Sequence, residues 1–315
     1  MTGDPKPAVC VLGTGLIGGS VLRAAVAAGY EAWGYNRSET GAKAARADGF
    51  DVVSDVAAVL GRAAARDALI VIGVPMPAIA GVLSDVKAFA PDCALTDVVS
   101  VKAPVTAAVH RHELGARYVG GHPMAGTSES GWAASTPGLF KDAAWAVSVD
   151  PGVHAQTWER VARLALDCGA VVVPVLSDEH DRAVARISHL PHVLAEALAM
   201  QGSNGGALAL GLAAGSFRDA TRVAATAPEL VRAICEPNAA ALAEVLDDTL
   251  RVLQAARDTL RASADLTDLT EAGHSARVDF DDNQRRPITD IRPGDHDWHT
   301  RLAEAGRQGG VIESL

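Results

Sequence analysis

The segment GGHPMAGT, at residues 120–127, holds a histidine for which neither a helix nor a strand gives a reason. His122 follows two glycines and precedes Pro123, and loop residues on a rigid scaffold are where catalytic groups concentrate. A neutral imidazole can take a proton near neutral pH, because its unperturbed pKa is about 6.5. The segment therefore predicts that His122 is a general base. The alternative is a purely structural loop histidine.

A glycine-rich run at residues 13–18 follows an apolar segment and opens a helical pattern. Gly13 would permit the tight turn, Gly15 would let a pyrophosphate approach the backbone, and Gly18 would let the helix pack on the strand. The free N–H groups at the start of that helix would bind the phosphates. The run predicts the binding loop of a dinucleotide cofactor, formed by Gly13, Thr14, Gly15, Leu16, Ile17 and Gly18.

The residues after the second strand-like segment bear on the choice of cofactor. An acidic residue there would bind the ribose hydroxyls and favour NAD. Asn36 stands at that position instead, followed by Arg37 and Ser38. Asparagine does not repel a 2′-phosphate and can also bind a free hydroxyl, while Arg37 could bind the phosphate. These residues predict NADP, or use of both NADP and NAD; the alternative is that Arg37 is a solvated surface residue.

The elements that must position these residues follow from the hydrophobic pattern. Strand-like segments at residues 8–12, 31–35, 69–74 and 94–98 alternate with helical patterns, which is typical of a parallel sheet covered on both faces. The apolar segments at 143–149 and 170–175 are expected to extend the same sheet. Ligands bind beyond the carboxyl ends of such strands, so Ser100 is expected near the nicotinamide.

The pattern changes after this sheet and predicts three parts of the chain. Residues 1–176 form an α/β Rossmann-like dinucleotide-binding domain. Helical periodicity without a strand signal follows, so residues 177–264 form an all-α helical domain that binds substrate and builds a homodimer. Residues 265–315 are a polar C-terminal extension with a short helix at about 297–305.

Composition and charge exclude several classes of partner. The formal net charge of -10 disfavours nucleic acid and anionic membrane surfaces. The start of the chain lacks the pattern of a signal peptide, and no apolar run reaches membrane-spanning length, so a cytoplasmic location is expected. The four cysteines form no CxxC pair and are expected to be buried free thiols, with no metal site: Cys10, Cys93, Cys168 and Cys235.

Together, the motifs from residue 8 to about residue 260 resemble the prephenate/arogenate dehydrogenase family of tyrosine biosynthesis. The motifs that carry the resemblance are GTGLIGGS at 13–20, Val74-Pro75, DVVSVK at 97–102, GGHPMAGT at 120–127, SHLPH at 188–192 and FRDATRVA at 217–224. The resemblance implies an NAD(P)-dependent enzyme that oxidatively decarboxylates prephenate or its amino analogue, arogenate. It does not cover the last part of the chain.

The resemblance also implies roles for individual residues. His122 matches the family's catalytic histidine, and Ser100 matches a serine that hydrogen-bonds this histidine and the substrate hydroxyl. Arg222 matches an arginine that binds a substrate carboxylate. The further positions implied are Asp219 and His192 at the substrate, Val74 and Pro75 at the cofactor, and Ser128, which replaces a glutamate of some members. Val231 replaces a tryptophan that many members have, which leaves the side-chain preference open.

Other interpretations remain open for the chain and for single residues. A β-hydroxyacid-type dehydrogenase would need a catalytic lysine in the helical domain, and no lysine follows Lys141. A non-catalytic NAD(P)-binding redox sensor would not need His122, Ser100 and Arg222 together. Arg222 could instead form an ion pair with Asp219. The remaining histidines are interpreted as structural at the start of a helix (His189) or as surface residues (His110, His112, His154, His180 and those of the tail).

Overall fold

A computed structural model of the chain describes residues 6–127 and 129–315. The chain divides into two compact units. The first contains the residues up to His180 together with Arg286–Leu315, and the second contains Asp181–Arg285. The division lies four residues beyond the predicted boundary at 176. The predicted C-terminal extension is shared between the units, since its residues from Arg286 onward belong to the first.

The first unit is built on the predicted parallel sheet. Its strand order is β3-β2-β1-β4-β5-β6, and every neighbouring pair is parallel. The strands are β1 (Val9–Leu12), β2 (Ala32–Tyr35), β3 (Val52–Val53), β4 (Leu69–Ile72), β5 (Leu95–Asp97) and β6 (Tyr118–Val119). The connecting helices are α1 (Leu16–Ala27), α2 (Glu39–Ala47), α3 (Val56–Ala65), α4 (Ile79–Phe89) and α5 (Ala103–Arg111). Buried apolar side chains cover both faces, which confirms the α/β prediction.

A second sheet holds the strands that were expected to extend the first. It consists of β7 (Gly121–Pro123), β8 (Ala144–Ser148) and β9 (Val171–Val175), with α6 (Ala155–Asp167) between β8 and β9. Strand β7 is antiparallel to β8, and β8 is parallel to β9. The expectation of a single sheet is therefore wrong. The backbone hydrogen bonds between β5 and β6 end at Val119. At Gly121, the Asp97 side chain accepts from the backbone N–H, and the Lys102 side chain donates to the carbonyl.

The second unit is helical, as predicted, and begins within α7 (Ser177–Val184). A π-helical turn (Ala185–His189) leads into α8 (Leu190–Asn204), and five helices follow: α9 (Gly206–Leu212), α10 (Gly215–Ala220), α11 (Pro228–Cys235), α12 (Ala239–Ser263) and α13 (Thr267–Asp281). Asn238 Nδ2 donates to the Asp181 carbonyl at 2.7 Å and to His189 Nδ1 at 3.1 Å. His189 is therefore buried and bonded, in the structural role expected of it.

The C-terminal segment returns to the first unit. Strand β10 (Arg286–Pro287), helix α14 (Trp298–Arg307) and strand β11 (Gly310–Val311) form it. Beyond β11, Ile312 and Val172 of β9 exchange two backbone hydrogen bonds of 2.8 and 2.9 Å. Trp298 and Leu302 of α14 enter the core of the unit. In the described part of the chain, no helix is long and apolar enough to cross a membrane.

We expect Gly306→Ala to destabilise the protein by about 1–3 kcal/mol, the usual range for overpacking. A Cβ at Gly306 would lie 1.9 Å from the Pro174 carbonyl oxygen, so α14 or β9 would have to shift. Urea unfolding measures the change. Gly61→Ala is the matched control, because a Cβ at this position of α3 meets no atom within 4 Å. The control should be neutral or stabilise by up to about 1 kcal/mol. Wild-type stability of Gly306→Ala would contradict the docking of α14 on β9.

Candidate active site

The three glycines of the loop between β1 and α1 have different surroundings. Gly13 has a φ of +102°, and a Cβ there would lie 2.6 Å from the Gly73 carbonyl oxygen. A Cβ at Gly18 would lie 2.0 Å from the Gly13 carbonyl oxygen. At Gly15, in contrast, a Cβ would meet no atom within 4 Å, and no side chain caps the start of α1. Gly13 and Gly18 therefore allow neighbouring parts of the protein to pack closely. Gly15 leaves space beside the free N–H groups of the helix start, and this space fits a pyrophosphate.

The residues at the ribose position are tied to this loop. Asn36, directly after β2, donates from Nδ2 to the Thr14 hydroxyl at 3.0 Å and accepts at Oδ1 from the Ser38 backbone N–H at 3.0 Å. Ser38 in turn caps α2 by accepting from the Gly41 N–H. Arg37 is exposed. The position therefore presents an uncharged amide and an exposed cation, with no carboxylate between Asn36 and Ser38.

A third side of this site is the turn after β4. The Val74 side chain lies 2.8 Å from where a Cβ of Gly13 would stand, so Val74 borders the glycine loop directly. Pro75 follows and is exposed, and a 3₁₀ turn begins after it at Met76.

His122 lies on strand β7, so the expectation that it is a loop residue is wrong, and its partner is a second histidine. Its Nδ1 is 2.9 Å from Nε2 of His180, and the two rings meet edge to face with centroids 5.1 Å apart. His180 is only 3% exposed, so its interpretation as a surface residue is wrong. The reason is the start of α7, where Ser177 binds the Asp150 carboxylate through its N–H (2.9 Å) and its hydroxyl (2.5 Å). That contact anchors the first residue of α7, and His180 lies three residues later in the same helix, packed against His122.

A buried ion pair holds the backbone directly before His122. The side chains of Asp97 and Lys102 are 0% and 1% exposed and form a hydrogen-bonded salt bridge. Lys102 Nζ also donates to the Gly121 carbonyl at 2.6 Å, and the Tyr118 hydroxyl donates to Asp97 at 2.6 Å. Burial, with the Asp97 charge next in importance, raises the pKa of Tyr118 well above its usual value, so this hydroxyl stays a donor. The DVVSVK motif thus contains two residues, Asp97 and Lys102, that hold the backbone before His122.

Ser100 lies three residues beyond β5 and is half-buried. The resemblance implies that it hydrogen-bonds the catalytic histidine. In the structure, the partner of His122 Nδ1 is His180.

The loop after His122 is anchored on α1, the helix of the glycine motif. A Cβ at Gly19 would lie 3.0 Å from Ser135 and 3.1 Å from Trp132, so the loop packs directly on this glycine. The Ser20 hydroxyl accepts from the backbone N–H of Thr136 at 3.0 Å. Arg23 completes the anchor, with its guanidinium 4.1 Å from the Trp132 ring centre and a hydrogen bond to Ser135. Ser128, a predicted substrate residue of the same loop, lies outside the described residues.

The other predicted substrate residues lie in the second unit. Arg222 begins a 3₁₀ turn (Arg222–Ala225) and is exposed, as is Asp219. Within the described part of the chain, no ion pair joins these two side chains. His192 lies in the first turn of α8, which packs against the turn of Arg222. Its Nδ1 is buried and has no hydrogen-bond partner among the described residues, so a polar atom in this unit still lacks a partner.

The cysteines and the potential metal ligands form no reactive or metal-binding cluster among the described residues. All four cysteines are free and buried, as predicted. Burial raises the pKa of the Cys168 thiol to about 12 and raises that of Cys10 further. Among the described residues, no group of three or more His, Cys, Asp or Glu side chains could hold a metal ion.

Comparison with known proteins matches most of the chain to two domain models of the same protein family. Residues 22–174 match the family model of the prephenate dehydrogenase nucleotide-binding domain, and residues 176–272 match that of the prephenate dehydrogenase dimerization domain. The prephenate dehydrogenase of Bacillus subtilis is 31% identical over 261 residues, which is 80% of this chain and 70% of that protein. The cyclohexadienyl dehydrogenase of Zymomonas mobilis is 32% identical over 262 residues, 80% of this chain and 88% of that protein.

Solved structures resemble the fold over nearly its whole length. A crystal structure of a candidate prephenate dehydrogenase from Corynebacterium glutamicum has a TM-score of 0.94 at 48% identity, covering 99% of this chain and 100% of that chain. The prephenate dehydrogenase of A. aeolicus, in complex with hydroxyphenyl propionate and NAD+, has a TM-score of 0.80 at 22% identity and covers 89% of this chain and 100% of that chain. The first of these includes the C-terminal segment, which both family models leave out.

We expect Gly15→Ala to weaken the binding of NAD(P)H by about tenfold, equivalent to about 1.4 kcal/mol, without changing the thermal midpoint of the free protein. Its Cβ meets no protein atom within 4 Å and would occupy the space that fits the pyrophosphate. Fluorescence titration and thermal unfolding measure the two effects. Gly18→Ala, with its Cβ 2.0 Å from the Gly13 oxygen, should instead lower the midpoint. Unchanged cofactor affinity in Gly15→Ala would show that the cofactor does not approach this glycine.

Proposed function

Because the chain belongs to the prephenate dehydrogenase family, we propose that it catalyses the NAD(P)-dependent oxidative decarboxylation of prephenate to 4-hydroxyphenylpyruvate in tyrosine biosynthesis. The observation that carries this proposal is the histidine pair. His122 has its Nδ1 engaged by the buried His180, on the same structural unit as a glycine loop shaped for a dinucleotide. A histidine that is held at Nδ1 by a buried partner can present its other ring nitrogen to a substrate, as a general base requires.

The chemistry of prephenate assigns a task to His122. The substrate carries a hydroxyl at C4 and a carboxylate at C1. The bound nicotinamide ring supplies the acceptor for the hydride on C4. His122 takes the proton of the C4 hydroxyl, through Nε2, as this carbon becomes a carbonyl. The bond from C1 to its carboxyl group breaks and CO2 leaves. The electron pair of that bond moves into the ring, the C4 carbonyl becomes a phenolate, and this oxygen takes the proton back from His122 to give the phenol of the aromatic product.

The glycine loop and the ribose position would hold the cofactor. The N–H groups at the start of α1 would bind its phosphates beside Gly15, with Thr14, Leu16 and Ile17 forming the rest of the loop. Val74 and Pro75 would border the same site. At the ribose, Asn36 carries no charge that would repel a 2′-phosphate, and the exposed Arg37 could bind one, with Ser38 next to it. These features favour NADP while leaving NAD usable.

The substrate carboxylates need fixed cations, and Arg222 suits this task. A guanidinium binds a carboxylate through two parallel hydrogen bonds. Arg222 is exposed and forms no ion pair with Asp219 among the described residues, so its charge is available. His192, with its buried Nδ1, would contribute a second polar contact, and Asp219 and Ser128 are proposed as further substrate residues. Arogenate, which carries an amino group where prephenate has a keto group, is the alternative substrate.

The helical unit is proposed to form a homodimer. Its sequence matches a family model described as a dimerization domain. Large apolar side chains of this unit are more than half exposed, among them Ile187, Leu208, Leu212 and Phe280. A second copy of the chain would cover such a surface. The cytoplasm is the proposed compartment, supported by the four buried free thiols.

We expect His122→Asn to lower kcat with prephenate by about 100- to 10,000-fold, the usual contribution of a general base, and to leave cofactor affinity unchanged. The measurement is NAD(P) reduction at saturating prephenate, with arogenate assayed in parallel and with both cofactors. His112→Asn is the control, since His112 bonds to the Ala108 carbonyl of its own helix region and has no proposed role. Near-wild-type turnover in folded His122→Asn, or no turnover of either substrate by wild type, would contradict the proposed function.

Arg222→Ala should raise KM for prephenate at least tenfold, because losing a charged hydrogen bond to a carboxylate costs about 1.5–3 kcal/mol. The KM for the cofactor should not change. Arg218→Ala is the comparison, since Arg218 lies one turn earlier in the same motif. A raised KM in Arg218→Ala with none in Arg222→Ala would move the anchor to Arg218.

A further inference from the structure

The two imidazoles of His122 and His180 share a single proton. Their Nδ1 and Nε2 atoms are 2.9 Å apart, a hydrogen-bond distance, so one nitrogen must donate and the other must accept. Two arrangements satisfy this condition. Either His122 carries hydrogen on Nδ1 and donates, or His180 carries hydrogen on Nε2 and donates.

Only the first arrangement makes His122 a base toward the substrate. If a neutral His122 has its hydrogen on Nδ1, its Nε2 has a lone pair that can take a proton. If His180 donates instead, Nδ1 of a neutral His122 is the acceptor, and the hydrogen of this ring is on Nε2. In that form His122 cannot accept a proton at Nε2. The tautomer of His180 therefore decides whether His122 is active.

We propose that His180 is a positioning residue that holds His122 in the tautomer with hydrogen on Nδ1. The proposal rests on the function proposed above. His180 accepts this hydrogen at Nε2, which requires its own hydrogen to be on Nδ1. When His122 gains the substrate proton at Nε2, its Nδ1 still donates to His180, so the positive charge is shared with a neutral acceptor. A buried partner that orients a functional histidine in this way is common where histidines work as bases or ligands.

The structure holds His180 in place from two sides. On one side, Asp150 binds the first residue of α7, and the Ser177 hydroxyl also lies 3.4 Å from that of Thr106 in α5. On the other side, Arg307 of the C-terminal segment donates to Glu179, the residue before His180, at 2.8 Å. The backbone N–H of His180 itself donates to the Leu176 carbonyl at 2.9 Å. Helix α7 thus fixes the imidazole against β7.

The tautomer can be read directly by NMR, without substrate. Protein with ¹⁵N-labelled histidine is recorded with cofactor bound, and the ring signals of His122 are assigned by their loss in His122→Asn. We expect neutral His122 to carry its hydrogen on Nδ1 in the wild type. In His180→Leu, the form with hydrogen on Nε2 should appear. Hydrogen on Nε2 of neutral His122 in the wild type would overturn the proposal even if every variant failed to fold.

Kinetics provides the second test. His180→Leu should lower kcat with prephenate by about 10- to 100-fold, as when a functional histidine loses its orienting partner, with both KM values unchanged. His180→Gln should recover most of this loss, because its side-chain carbonyl can accept from Nδ1 of His122. His112→Leu serves as the control and should keep wild-type kcat. Unchanged kcat in folded His180→Leu, or no recovery in His180→Gln, would overturn the proposal.

The two tests separate this proposal from the proposed function. The NMR signal does not depend on the substrate. Hydrogen on Nδ1 of His122, lost in His180→Leu, in a protein that turns over neither prephenate nor arogenate would support the pairing and contradict the function. Turnover of prephenate by a protein whose His122 carries hydrogen on Nε2 would support the function and contradict the pairing.

Discussion

The buried ion pair of Asp97 and Lys102 lies where the two sheets of the first unit meet, and the position of His122 depends on it. Two charges removed from water are stable only if their remaining hydrogen-bonding capacity is filled. Here Asp97 accepts from Lys102, the Tyr118 hydroxyl and the Val99 N–H, and Lys102 donates to the Gly121 carbonyl. Side-chain hydrogen bonds of this pair to Gly121, and not hydrogen bonds between two backbones, connect β5 to β7. The chain therefore leaves the first sheet at Gly120 and carries His122 into the second.

Helices α1 and α7, which border the glycine loop and carry His180, each make further contacts within the first unit. Helix α1 begins at the glycine loop that is proposed to bind the cofactor phosphates, and through Gly19, Ser20 and Arg23 it anchors the loop that follows His122. Helix α7 supplies His180 and is held by Asp150 at its first residue and by Arg307 next to the histidine. A displacement of either helix would change the surroundings of His122, so the cofactor loop and the histidine pair are linked through the packing of one structural unit.

The sequence predicted those features that short segments determine. The glycine loop, the parallel strands and the helical unit each show a local pattern of glycines or apolar residues, and the structure has all three. The second sheet could not be predicted, because β7 has only three residues and its pairing depends on a buried ion pair. The burial of His180 could not be predicted, because the acidic residues beside it are typical of a solvated helix start, and its partner His122 lies 58 residues away in the chain. The pairing of Ile312 with Val172 joins segments too far apart in the chain for any local pattern.

The geometry at His122 can be tested most directly by a crystal structure of the protein with NAD(P)+ and 4-hydroxyphenylpyruvate, the product of the proposed reaction. We expect the phenol oxygen, which derives from the C4 hydroxyl of prephenate, to lie about 2.6–3.2 Å from Nε2 of His122. Nδ1 of His122 should remain bonded to His180. A phenol oxygen bound away from His122, or a His122 ring turned so that Nδ1 faces the product, would show that His122 is not the base that His180 positions.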